Sequence, residues 1–154
     1  YSKRVLSRND VNSVAAIQRL TRDLEKIVDL HGDPVPELYE AFFAISKAGK
    51  GLMGHSDLHM QGRMFEQVLE LLLTDDHFGA GGYLDWELHN HVDAYGVTTQ
   101  MYTDFFAALM SVAKKILGAD FDSHSRAAWS QRIHVILSQV DAYDASSSGQ
   151  SASI

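Results

Sequence analysis

The chain of 154 residues contains no cysteine and only two prolines, Pro34 and Pro36. Without cysteine there can be no disulfide framework, thiolate metal site or cysteine nucleophile, and the composition is compatible with the reducing cytoplasm in which we expect the protein to reside. Long apolar runs are also missing. Runs such as residues 71–73 are too short to span a bilayer, so we expect no membrane partner.

Positive charge is scarce as well. The chain has 13 Lys and Arg against 20 Asp and Glu, for a net charge of −7. An acidic protein repels phosphate backbones, and no Lys/Arg cluster overrides this, so nucleic acid is not an expected partner. Histidine, in contrast, is abundant, with eight residues. This abundance directs attention to metal or haem binding.

Helical periodicity recurs along the chain, whereas strand-like alternation of apolar and polar residues is not convincing anywhere, which predicts an all-α fold. In the predicted helices, the apolar stripes include Val14 and Val28 in the first and Leu58 in the third. Glycine-rich segments at 47–56 and 75–82 are predicted to be loops, the first with at most a short turn of helix. The predicted helices cover about residues 10–30, 34–46, 57–74, 83–92, 98–117 and 122–143.

The end of the chain differs in composition from the rest. Residues 144–154, DASSSGQSASI, have no core-forming pattern. We therefore predict one domain at residues 1–143, followed by a Ser-rich disordered tail or linker at 144–154.

Three segments follow one another in a characteristic order and spacing. They are LYEAFFAISKAGKGLMGHSDLHMQGRMFEQVL at 38–69, HVDAYGV at 91–97 and ILGADFDSHSRAAW at 116–129. Over roughly residues 10–143 this order resembles the globin family, most closely bacterial single-domain, flavohaemoglobin-like and sensor globins. The resemblance implies a globin fold of six to eight helices around a pocket for haem b, whose iron binds O2 and also NO or CO.

The resemblance also implies an iron ligand. His91 matches the proximal histidine, which holds iron through its Nε2. The turn at residues 95–97 lies one residue farther from His91 than the family pattern has it, so His89 stays open as an alternative ligand. Leu88, one residue before this pair, is expected to pack against the haem or in the core.

On the opposite side of the haem, the resemblance implies that Tyr39 and Gln61 donate hydrogen bonds to the bound gas. Phe65 is expected to stand over the haem. Met53 occupies the helical corner where the family has a phenylalanine, and its adaptable side chain can pack on a porphyrin. Further expected contacts with the haem or the core are Met64, Phe105 and Leu109.

Tight retention of O2 suits NO oxidation or gas sensing better than oxygen transport. The sequence has no flavin or nicotinamide signature, so an NO dioxygenase activity would need an external reductant, and we do not expect an enzyme in the chain on its own. One alternative is a gas-sensor domain attached to an output domain, which the Ser-rich end suggests. A homodimer is a further expected form of the protein. Another is a haem-free globin-like interaction module, which the replacement of the corner phenylalanine suggests.

Overall fold

The computed structural model describes residues 8–74 and 97–152. Within these ranges the chain forms six α-helices and no strand, which confirms the predicted all-α class. A short 3-10 turn at Gly118–Asp120 connects the last two helices. The helices are α1 Arg8–His31, α2 Val35–Ile45, α3 Lys47–Met53, α4 Leu58–Leu73, α5 Thr99–Leu117 and α6 Ser123–Ala152. The short helix predicted at 83–92 lies outside the described residues.

Four helices begin at a residue whose side chain caps them. Ser46, Asp57, Thr98 and Asp122 precede α3, α4, α5 and α6, and each accepts a hydrogen bond from the backbone N–H three residues later, at 2.8 to 3.2 Å. Such caps satisfy N–H groups that have no partner inside the helix. The starts of these helices are therefore fixed by local sequence.

Two predicted boundaries differ from the structure. The segment at 47–53 is a complete short helix, where the sequence predicted at most a turn. The cap at Ser46 starts this helix despite its two glycines. Helix α6 continues as far as Ala152 rather than ending near Tyr143. The division into a domain at 1–143 and a tail or linker at 144–154 stays a prediction.

The predicted apolar stripes were wrong at three positions. Val14 and Val28 are 47% and 57% exposed, and Leu58 is 66% exposed. On α1, the buried side contains Asp23, whose Oδ2 accepts a hydrogen bond of 2.9 Å from Trp129 Nε1 on α6. Leu20 and Ile27, which the helical period also places in the predicted stripe, are buried, so only part of the stripe was wrong. The buried side of α1 consists of Ala16, Leu20, Asp23 and Ile27.

The core is formed by two principal pairs of packed helices. Helix α1 packs chiefly on α6, and α2 packs chiefly on α5, with α4 in contact with α1, α2 and α6. Trp129 of α6 is completely buried and is hydrogen-bonded to Asp23 of α1. None of the helices within 8–74 and 97–152 combines the length and hydrophobicity that a bilayer span requires.

Candidate functional site

A cavity opens among α2, α3, α4 and the first half of α5. Its empty volume is about 760 Å³, including the part open to solvent. Small-molecule sites commonly have mostly apolar walls. The described residues lining it are Tyr39 and Phe42 of α2, Gly49, Leu52 and Met53 of α3, Met64, Gln67, Val68 and Leu71 of α4, Val97, and Met101, Tyr102, Phe105 and Phe106 of α5.

Four of the residues predicted to contact the cofactor meet in this cavity. Tyr39, Met53, Met64 and Phe105 lie on four different helices, and all four line it. They are far apart in sequence, and only the packing of the helices brings them together. Their contact with haem stays a prediction, because only protein side chains define the cavity.

Three other predicted residues are buried outside the described lining of the cavity. Phe65 and Leu109 belong to the hydrophobic core. The amide nitrogen of Gln61 donates hydrogen bonds to Ser56, at 3.1 Å to Oγ and 3.3 Å to the carbonyl oxygen. Ser56 Oγ in turn donates to the Met53 carbonyl at 2.6 Å, so Gln61 helps to hold the corner between α3 and α4. The roles predicted for these three residues stay predictions.

The predicted iron ligand His91, its alternative His89, and Leu88 lie outside the described residues. The described chain resumes at Val97, which is itself part of the cavity wall. Among the described residues, no three His, Cys, Asp or Glu side chains are grouped so that they could hold a metal ion. The exposed histidines at the α3–α4 corner, His55 and His59, do not line the cavity.

Tyr39 is the best-defined polar group of the cavity. Its side chain is buried, and its hydroxyl has no hydrogen-bond partner within the described part of the chain. The rings of Phe43 and Phe105 pack against it nearly edge to face, with centroids 5.8 and 5.7 Å away, and fix its orientation. Burial raises the pKa of Tyr39 well above its ordinary value, so the hydroxyl keeps its proton as a donor.

Sequence reasoning predicted Met64 but missed Gln67, Val68 and Leu71 as lining residues. They follow Met64 at the i+3, i+4 and i+7 spacing of one face of α4. The family resemblance instead assigned the haem-facing side of α4 to Gln61 and Phe65. Gly49 was also missed, because a glycine in a presumed loop carries no sign that it approaches another side chain.

No family model matches the sequence, and no curated protein matches it significantly. A solved structure does match: the crystal structure of a Pseudomonas aeruginosa protein that is described as structurally highly homologous to a human hemoglobin. The two chains are 17% identical, with a TM-score of 0.71, over 83% of this chain and 97% of the other. At this level of identity the similarity shows the fold alone. The protein therefore has a globin-like, all-α fold.

Proposed function

We propose that the protein holds haem b in the cavity between α2, α3, α4 and α5 and reversibly binds a diatomic gas, O2 and also NO or CO, at a histidine-ligated iron. The observation that carries this proposal is an apolar cavity beside the buried hydroxyl of Tyr39, which has no hydrogen-bond partner among the described residues. The globin-like fold supports it, because this fold is built around such a pocket.

The residues present fit a haem group. The cavity walls are mostly aromatic, aliphatic and methionine side chains, which suit the flat apolar faces of a porphyrin. Met53 lines the cavity from α3 and so occupies the wall that a corner phenylalanine would supply. When bound, haem supplies the iron position that takes up the gas.

Tyr39 would then donate its hydroxyl hydrogen to the ligand. A hydrogen bond of this kind is stronger in an apolar cavity than in water, because little solvent screens it. The proton stays on the hydroxyl throughout the physiological pH range, since burial raises the Tyr39 pKa. Such a donor slows release of the gas, which suits sensing or NO oxidation with an external reductant better than transport.

His91 is the proposed iron ligand, with His89 as the alternative. This part of the proposal depends on the sequence resemblance, since both residues lie outside the described ranges. The neutral imidazole nitrogen is a common haem ligand and leaves the opposite face of the iron available to a gas. Residence in the cytoplasm and association as a homodimer or with an output domain also belong to this proposal.

The proposal is tested by the visible absorption spectrum of the purified protein after addition of haem, recorded in the ferric state, the ferrous state and with CO. We expect a strong Soret band that shifts with CO, and we expect His91→Ala to abolish the normal spectrum. His89→Ala reports on the alternative ligand, and His55→Ala is the matched control, because that histidine is exposed and outside the cavity lining. A wild-type spectrum identical to that of free haem would reject gas binding and favour the haem-free interaction module.

A further inference from the structure

We infer that Met53 of α3 and Met64 of α4 form an oxidant-sensitive modification site in the wall of the cavity. Hydrogen peroxide converts their thioethers to methionine sulfoxides, and the sulfoxides weaken the binding of an apolar ligand in the cavity. The modification itself goes beyond the proposed function, because it needs no haem. Only its effect on haem uptake rests on that function.

Methionine is concentrated at this cavity. The chain has five methionines and no cysteine, so thioethers are its only sulfur groups and the sulfur that an oxidant can modify. Three of the five line the cavity from three different helices: Met53, Met64 and Met101. The other two, Met60 of α4 and Met110 of α5, lie outside the described lining. Oxidation of methionine would therefore act chiefly on the ligand-binding wall.

A small oxidant can reach two of these thioethers. Met53 and Met64 are half-buried, whereas Met101 is only 9% exposed. Leu52, next to Met53 on α3, lines the cavity and is also 42% exposed, so this part of the wall is in contact with solvent. We therefore expect peroxide to enter from the α3 side and to oxidise Met53 and Met64 before Met101.

The reaction requires only an accessible sulfur atom and the peroxide. In each conversion the O–O bond of hydrogen peroxide breaks and an S–O bond forms. The sulfur gives up two electrons, and the second oxygen leaves with both hydrogens as water. The product is a polar, chiral side chain in place of a flexible apolar one.

A sulfoxide in this wall opposes ligand binding. The surface of the described wall is almost entirely apolar, so it offers the new oxygen almost no polar partner. Water can hydrate that oxygen in the open cavity, but a ligand such as haem expels the water and leaves a buried polar group without a hydrogen bond. Oxidation should therefore lower ligand affinity more than it lowers the stability of the haem-free protein.

The test treats the haem-free full chain with hydrogen peroxide, stops the reaction with catalase and locates the sulfoxides by peptide mass spectrometry. Haem affinity, from titration at the Soret band, and binding of the fluorescent apolar dye Nile red are measured before and after treatment. A double variant, Met53→Leu with Met64→Leu, keeps apolar side chains of similar size. Met60→Leu is the matched control, because Met60 is 53% exposed and outside the described lining.

We expect sulfoxide at both sites and at the exposed Met60, and slower oxidation of Met110, which is half-buried against the core. Oxidised wild type should bind haem and Nile red about tenfold more weakly or less, in line with the burial of an unpaired polar group. The double variant should keep its affinity after the same treatment, while Met60→Leu should lose affinity as wild type does. Methionine sulfoxide reductases should restore binding to the oxidised wild type.

Two results would overturn the inference. One is oxidation of Met110 as fast as that of Met53 and Met64, because the cavity would then give no special access. The other is a double variant whose affinity falls as far as that of wild type. A wild-type protein that takes up no haem would reject the proposed function alone. Nile red would then decide the inference, since equal dye binding before and after oxidation, or no binding in either state, would overturn it.

Discussion

The hydroxyl of Tyr39 lies in the core without a partner among the described residues. A buried polar group in that situation costs about 1 to 3 kcal/mol, whereas a phenylalanine ring of the same shape does not. We therefore expect Tyr39→Phe to raise the free energy of unfolding of the haem-free protein by about 1 kcal/mol. Urea denaturation followed by far-UV circular dichroism measures this. A loss of stability would show that the hydroxyl has a partner.

The same residue predicts a pH dependence. In the unfolded chain Tyr39 has its ordinary pKa of 10.0, and burial raises the pKa in the folded protein. Above pH 10 the unfolded state therefore binds fewer protons than the folded state, so stability falls as pH rises, by about 1.4 kcal/mol per pH unit for one such group. Denaturation between about pH 9 and about pH 11 should show a shallower decline in Tyr39→Phe than in wild type. Parallel declines would contradict this prediction.

Gly49 is a second residue whose surroundings predict an outcome. A Cβ at this position would lie 2.8 Å from Phe42 Cε2 and 2.8 Å from Ser46 Oγ, which are impossible contacts without movement. Gly49→Ala should lower the free energy of unfolding by about 1 to 3 kcal/mol, the usual effect of overpacking. Thermal denaturation measures this. Gly51→Ala is the control on the same helix, because nothing lies within 4 Å of its added Cβ. Equal behaviour of the two variants would refute the role of Gly49.

Gly49 and Tyr39 also show which parts of the site the sequence could reveal. Tyr39 is a polar residue within an apolar helical run, and family resemblance gave it a role. Gly49 has no such signal, because its importance lies in the distance to Phe42, which only the packing of α2 against α3 determines. Gln67 was missed for a related reason: its position relative to the cavity depends on the rotation of α4, which Gln61 alone could not define.

The carboxyl end of α4 depends on a residue from another helix. Arg132 of α6 is buried and donates hydrogen bonds to the carbonyl oxygens of Leu71, Leu72 and Thr74 at 3.3, 2.9 and 2.8 Å. These oxygens lack partners within the helix, and the positive charge also opposes the negative end of the helix dipole. Arg132 therefore fixes the end of the helix that carries four lining residues of the cavity.

Replacing Arg132 should therefore destabilise the carboxyl end of α4 more than the rest of the fold. We expect Arg132→Met to lower the free energy of unfolding by about 3 kcal/mol, because buried carbonyls lose charged donors. Hydrogen exchange should become faster in the last turn of α4 and change less in α5. Arg132→Lys is the informative control, since it keeps the charge but not the planar fork of donors. Unchanged exchange at residues 70–74 would contradict this account.

The start of a helix was predictable from the sequence where neighbouring residues determine it. The sequence predicted helices that start at about residues 57 and 98, and the structure starts α4 and α5 directly after Asp57 and Thr98. The burial of Asp23 on α1 was not predictable, because it depends on the hydrogen bond between Asp23 and Trp129, which are far apart in sequence. Periodicity treats Asp23 as a surface residue, and only the partner on α6 explains its burial.

The described helices leave an apolar cavity between them. Protein interiors are normally close-packed, and an open apolar space lacks the contacts that dense packing provides. A chain under selection for stability alone would fill this space with larger side chains, whereas a binding function favours keeping it open. An open cavity therefore favours ligand binding but lowers the stability of the haem-free protein.

Filling the cavity with a larger side chain should therefore stabilise the haem-free protein and weaken haem binding. Val68 lines it from α4, so Val68→Phe should raise the thermal midpoint of the haem-free protein by a few degrees, about 1 kcal/mol, while weakening haem binding at least about tenfold. Calorimetry and titration followed at the Soret band measure the two effects. Glu66→Phe, at an exposed position of the same helix, should change neither. If Val68→Phe left haem uptake intact, the cavity would not be the haem site, because the added ring and a porphyrin cannot share this space.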